Sequence, residues 1–185
     1  MLRKYKNERH EKQANEFLKE LGEFVLSFER VCESMRYAII FMLRSQGLSN
    51  EDMAFVIVGD KSSAELQVLV GALYMEMPNQ DDEDRKIVKT LLKRIKKVTE
   101  QRNILLHNSW DLGHSASWGS EILAVATRFR TKQNKGATIE PHGVNPSYLR
   151  ELSFELSGIQ VLMQRLLTCI TQPKFKVAKE LNKQI

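Results

Sequence analysis

Between Glu100 and Asn108 the chain reads Glu-Gln-Arg-Asn-Ile-Leu-Leu-His-Asn, and this segment holds the residue types that cutting RNA requires. Arg102 offers a planar fork of donors that fits phosphoryl oxygens, Asn103 adds a small amide beside it, and His107 brings an imidazole, the side chain that exchanges protons around neutrality. A general base of this kind removes the proton from a ribose 2′-hydroxyl. The freed oxygen attacks the adjacent phosphorus in line, and a cation stabilises the charge that builds on the phosphoryl oxygens. That route needs no metal, leaves a 2′,3′-cyclic phosphate and a free 5′-hydroxyl, and spares DNA, which lacks the 2′-hydroxyl. The candidate catalytic residues are Arg102, Asn103 and His107.

Helical geometry poses a question about these three. At about 100° per residue, Arg102 projects near the middle of the apolar stripe Val88, Leu91, Ile95 and Val98, where a charge needs a partner or an interface. His107 falls about 140° further round, so one helix alone need not bring the two together. A structural reading stands beside the catalytic one, with Arg102 paired to a carboxylate and His107 capping the helix C-terminus beside Asn108.

The stretch that leads to Arg102 is strongly basic: Arg85, Lys86, Lys89, Lys93, Arg94, Lys96 and Lys97 stand against the single acid Glu100. Such a face attracts phosphate, or is a solvated face that balances the acidic start of the same helix. Lys93, Arg94, Lys96 and Lys97 are the candidate RNA-binding residues here. Arg128 and Arg130 join them, alternating with Lys132 and Lys135 along what reads as a strand edge that touches RNA backbone or guards the edge. Trp110 and Trp118 are placed either to stack on an unpaired base or to pack a β insertion onto the helices. His10, His114 and His142 have no Cys or carboxylate at ligand spacing and read as surface histidines, so neither a metal nor a cofactor is assigned.

The elements that must position the motif are mostly helices. A first helix over residues 11–44 follows from Phe17, Leu21, Phe24, Phe28, Val31, Met35, Ala38 and Met42 at spacings of three and four, and Gly47 ends it. Ser49 and Asn50 offer N-caps to a short helix over 51–58, closed by Gly59. Ser62 and Glu65 have capping-box spacing before a third apolar helix that Pro78 stops. A fourth opens on Asp81, Asp82, Glu83 and Asp84 and runs to about Asn108. The helical pattern then fails: residues 122–129 are rich in Ile, Val, Thr and Phe, with Gly113, Gly119, Gly136, Pro141 and Gly143 around them. This predicts a β-hairpin-like insertion over 111–143. Asn145 and Pro146 then start a last helix through Leu149, Leu152, Leu156, Ile159, Met163, Leu166 and Ile170.

The expected fold is therefore all-α: a bundle of four main helices plus a short one, with the small β insertion before the last helix. It reads as one domain over 1–185, with 1–10 and the lysine-rich 174–185 as candidate flexible ends.

In motif and layout the chain resembles the HEPN domains, whose R-x4-6-H signature is matched by Arg102, Asn103 and His107 and whose order of helices is similar over most of the chain. The resemblance implies a metal-independent endoribonuclease of the toxin–antitoxin or antiviral-defence kind, acting as a homodimer in which both motifs converge on one cleft. It implies His107 as general acid or base, Arg102 as phosphate clamp and transition-state stabiliser, and Asn103 positioning the phosphate or the arginine. An antitoxin or other regulatory partner follows by the same route. The alternative is a HEPN-like dimer that binds RNA or nucleotide, or serves protein interaction, without cutting.

Composition agrees with a globular chain. The 185 residues are 42% hydrophobic and 28% charged with net charge +5, which excludes collagenous and wholly disordered classes and favours an anionic partner. Cys32 and Cys169 each sit in an apolar helical pattern and read as reduced, buried thiols. The longest apolar run, residues 37–43, is too short to span a bilayer, so a cytoplasmic protein with no membrane partner is expected. No Walker loop, dinucleotide fingerprint or nucleophile elbow occurs.

Overall fold

The computed structural model describes residues 8–78, 80–112, 124–132 and 136–181. The protein is predominantly helical. Its elements are α1 (Glu8–Ser45), α2 (Glu51–Val58), α3 (Ser63–Glu76), α4 (Asp82–Leu106), β1 (Ser109–Leu112), β2 (Ala124–Lys132), β3 (Gly136–Val144), α5 (Pro146–Thr171) and α6 (Val177–Leu181). Among the described residues no helix is long and apolar enough to cross a membrane.

Local chemistry sets most of the helix ends. At Gly47 the backbone turns left-handed, with φ 98°, and the Leu48 amide bonds the Leu43 carbonyl at 3.1 Å while the Gly47 amide bonds that of Arg44 at 3.0 Å. This pair of bonds is a Schellman closure, which glycine makes without steric cost. Asn50 Oδ1 accepts from the amides of Asp52 and Met53 and so opens α2. Ser62 and Glu65 form the complete capping box of α3, and the Ser62 backbone and hydroxyl donors hold the Glu65 carboxyl below its ordinary pKa. Asn145 Oδ1 accepts from the Tyr148 amide at 2.8 Å at the start of α5.

The chain forms two compact units. One comprises Met1–Leu26 with Gln101–Phe154, the other Ser27–Glu100 with Glu155–Ile185, so α1, α4 and α5 each contribute residues to both. In the second unit the apolar sets of the helices are buried: Phe28, Val31, Met35 and Met42 of α1, Leu66 and Val70 of α3, Val88, Leu91, Ile95 and Val98 of α4, and Leu156, Ile159 and Met163 of α5. The first unit buries Ala14, Phe17 and Phe24 of α1, Leu105 of α4 and Leu149 of α5, together with Ala124 and Val144 of the strands.

Two features add to the sequence reading. The expected hairpin-like insertion is the antiparallel pair β2–β3, and β1 extends it to a three-stranded sheet of order β1-β2-β3. Its third strand runs unbroken from Gly136 to Val144 through Pro141 and Gly143, because β3 is an edge strand, where a proline's missing donor is tolerated. Within the lysine-rich end, a candidate flexible tail over 174–185, Val177–Leu181 form α6, and 182–185 lie outside the described residues. Val177 and Leu181 are buried there, the Ala178 amide donates to Asp84 Oδ1 at 2.7 Å, and Arg165 Nη1 reaches the Glu180 carbonyl at 2.8 Å. Lysines obscured two apolar anchors four residues apart. At the other end, residues 8–10 already belong to α1, and 1–7 lie outside the described residues.

Candidate active site

α4 stops at Leu106, and the groups that stop it are side chains that follow it. The final carbonyls of a helix have no partner inside it. Here Asn108 Nδ2 donates to the Ile104 carbonyl, and Trp110 Nε1 donates to that of Leu105 at 2.7 Å. The His107 amide keeps a bond to the Asn103 carbonyl at 3.2 Å. Trp110 is half-buried, its ring tilted 52° to Phe17 with centroids 5.2 Å apart. Trp110 thus packs on Phe17 and caps the end of α4.

His107 sits just past the helix end, and its exposed imidazole turns back toward Arg102. Arg102 Nη1 lies 3.4 Å from His107 Nε2 and 3.4 Å from Asn103 Oδ1. The structure therefore brings all three candidate catalytic residues together in one chain. Arg102 is half-buried, while Asn103 and His107 are exposed. For Nε2 to accept from the guanidinium, the imidazole must be neutral with its proton on Nδ1.

Two further contacts fix the surroundings and had no sequence signal, since their partners are far apart in the chain. Tyr148 hydroxyl donates to Gln101 Oε1 at 2.8 Å, next to Arg102 in sequence, and burial followed by the nearby Glu151 raises the Tyr148 pKa. Arg150 Nη1 bonds Glu16 Oε1 at 3.2 Å and the buried Glu20 at 3.1 Å, linking the start of α5 to α1.

The candidate RNA-binding residues divide. Lys93, Lys96 and Lys97 are exposed on α4. Arg94 is not a free phosphate ligand: it makes a two-pronged ion pair with Glu155 of α5, Nε to Oε1 at 2.8 Å and Nη2 to Oε2 at 3.1 Å. Arg128 and Arg130 lie in β2, opposite Glu140 and Thr138, and their side chains are outside what the structure describes. Trp118, His114 and Lys135 are likewise outside the described residues, and His142 lies in β3 opposite Ala126. His10 is half-buried in α1.

No family model matches the chain, and no curated protein or solved structure matches it.

Proposed function

We propose that the chain is a metal-independent endoribonuclease whose working residues are Arg102, Asn103 and His107. The observation that carries this reading is their convergence: a guanidinium, an amide and an imidazole within 3.4 Å contacts at one helix end. His107 Nε2 is the base that takes the 2′-hydroxyl proton once Arg102 turns from it to the scissile phosphate. The 2′-oxygen then forms its bond to phosphorus as the bond to the 5′-oxygen breaks, and Arg102 stabilises the charge on the phosphoryl oxygens. The departing 5′-oxygen takes a proton from a second acid, for which the His107 of a second copy is the natural source in a homodimer.

The exposed lysines of α4 supply a phosphate-attracting surface for the substrate. The resemblance to HEPN domains supports the same chemistry and adds the biological setting, a toxin or antiviral effector held in check by an antitoxin or regulatory ligand.

The test is purified protein with mixed-sequence RNA in excess EDTA, wild type beside His107→Ala and Arg102→Ala. Cyclic-phosphate ends from wild type alone are expected, with both variants folded and inactive. A fully active variant would sink the assignment, and salt-dependent RNA binding without cleavage would move it to a non-catalytic RNA-binding module.

A further inference from the structure

We propose that Trp110 and Asn108 are positioning residues for His107, and that the three-stranded sheet serves the site by holding Trp110 where it closes the last turn of α4. The proposal rests on the endoribonuclease reading above.

His107 lies just past the last residue of α4 with its side chain exposed, and its backbone keeps one helical bond, from its amide to the Asn103 carbonyl. What holds it is the set of bonds on either side. The carbonyls of Asn103, Ile104 and Leu105 are taken in turn by the His107 amide, the Asn108 side chain and the Trp110 indole. The chain from the end of α4 to β1 is thereby folded back on the last helical turn, and the Cα of His107 is fixed relative to Arg102 on that turn. Asn108 and Trp110 bracket His107 from its C-terminal side, while α4 fixes it from the other.

Trp110 can do this because it is itself anchored twice. Its ring rests on Phe17, which is 1% exposed. Its backbone is paired in β1 opposite Ala126 of β2, and β2 is in turn paired along its length, from Ala124 to Lys132, with β3. A lone four-residue strand after a helix would fray, whereas a strand at the edge of a sheet keeps its register. The sheet thus fixes the donor that completes the helix end. A displacement of about 1 Å between a catalytic group and its partner is enough to cost about a hundredfold in rate.

The experiment uses the full chain. Trp110→Phe keeps a ring against Phe17 and removes the indole donor, and Asn108→Leu removes the amide donor at similar volume. Two quantities are read on each: the side-chain nitrogen resonances of His107 in nitrogen-15-labelled protein without RNA, and kcat and KM on RNA with wild type as reference. The expected result is a His107 Nε2 resonance of a hydrogen-bond acceptor in wild type that moves toward free imidazole in both variants. With it, kcat falls about tenfold or more while KM stays within about twofold. A cap that merely stabilises the helix lowers the melting temperature and leaves the nitrogen resonances and kcat at wild-type values, and that outcome overturns the proposal. If wild type itself cuts no RNA, the endoribonuclease reading fails alone, and the nitrogen resonances still decide whether the caps position the imidazole. If Trp110→Phe does not fold, Asn108→Leu carries the same test.

Discussion

Arg102 Nη1 stands 3.4 Å from His107 Nε2 within a single chain, although helical arithmetic sets the two about 140° apart. The arithmetic applies only inside a helix. α4 ends at Leu106, so His107 takes its direction from the turn that follows, and the long arginine side chain spans what distance remains. Arg102 and His107 therefore meet without a second copy, and in the proposed chemistry the role left to a second copy is that of the acid that protonates the leaving oxygen.

Arg102 Nη1 meets both Asn103 and His107, and clamping a phosphate in the proposed chemistry would draw on the planar shape of the guanidinium as well as its charge. Arg102→Lys keeps the charge and loses the planar donors, and is expected to cut RNA at least about tenfold more slowly than wild type with RNA affinity little changed. Single-turnover cleavage with saturating protein measures this. Equal rates would show that charge alone suffices.

Arg94 and its neighbours should separate stability from binding. The Arg94–Glu155 pair is half-shielded from water and two-pronged, so a double-mutant cycle with Arg94→Met and Glu155→Gln is expected to give a coupling of about 1 kcal/mol in denaturant unfolding. Lys93→Ala, Lys96→Ala and Lys97→Ala should leave stability alone. Each that touches a phosphate lowers the slope of log affinity against log salt by about 0.7 for single-stranded RNA. Salt titrations of RNA binding for the three lysine variants and Arg94→Met make the comparison.

The terminal helix carries buried weight. Leu181 is fully buried, and Leu181→Ala is expected to cost about 2–5 kcal/mol depending on how far the site collapses. Asp84 bonds the Ala178 amide, so Asp84→Asn, which keeps an acceptor, should be milder than Asp84→Ala. Urea unfolding ranks the three.

Stability should fall in alkali through Cys169 and Tyr74. Burial, with help from the charges of Glu180 and Asp84, pushes the Cys169 thiol up from 9.0 to about 11, and burial with Asp84 raises the Tyr74 phenol above its ordinary value of 10.0. In both the folded state favours the protonated form. The contribution is fully present below the unfolded pKa and is lost as pH rises from about 9 toward 11 for the thiol, and above 10 for the phenol. Melting temperatures from pH 8 to 11 should drop in wild type and drop less in Cys169→Ala and Tyr74→Phe. Parallel curves for all three would count against these groups.

Much of the helical architecture was legible in residue order. The period of Phe17, Phe24, Phe28, Val31 and Met35, the Ser62–Glu65 box, Gly47 and the Asn145–Pro146 start act over three to five positions, and each sits where the spacing put it. α6 was hidden because Val177 and Leu181 are two apolar residues among lysines, and the side chains that bond its backbone, Asp84 and Arg165, come from α4 and α5. Arg94 looked like its lysine neighbours until Glu155 met it.

The sequence by itself determined which residues could do chemistry, Arg102, Asn103 and His107, and that helices would carry them, because residue type and short-range spacing are written in the chain order. The tertiary structure decided that the three converge, that Trp110 closes the helix end behind them, and that Arg94 is spent on an ion pair. The turn at the end of α4 depends on Phe17, on the paired strands and on carbonyls whose partners come from outside the helix, and no local propensity encodes contacts between segments so far apart.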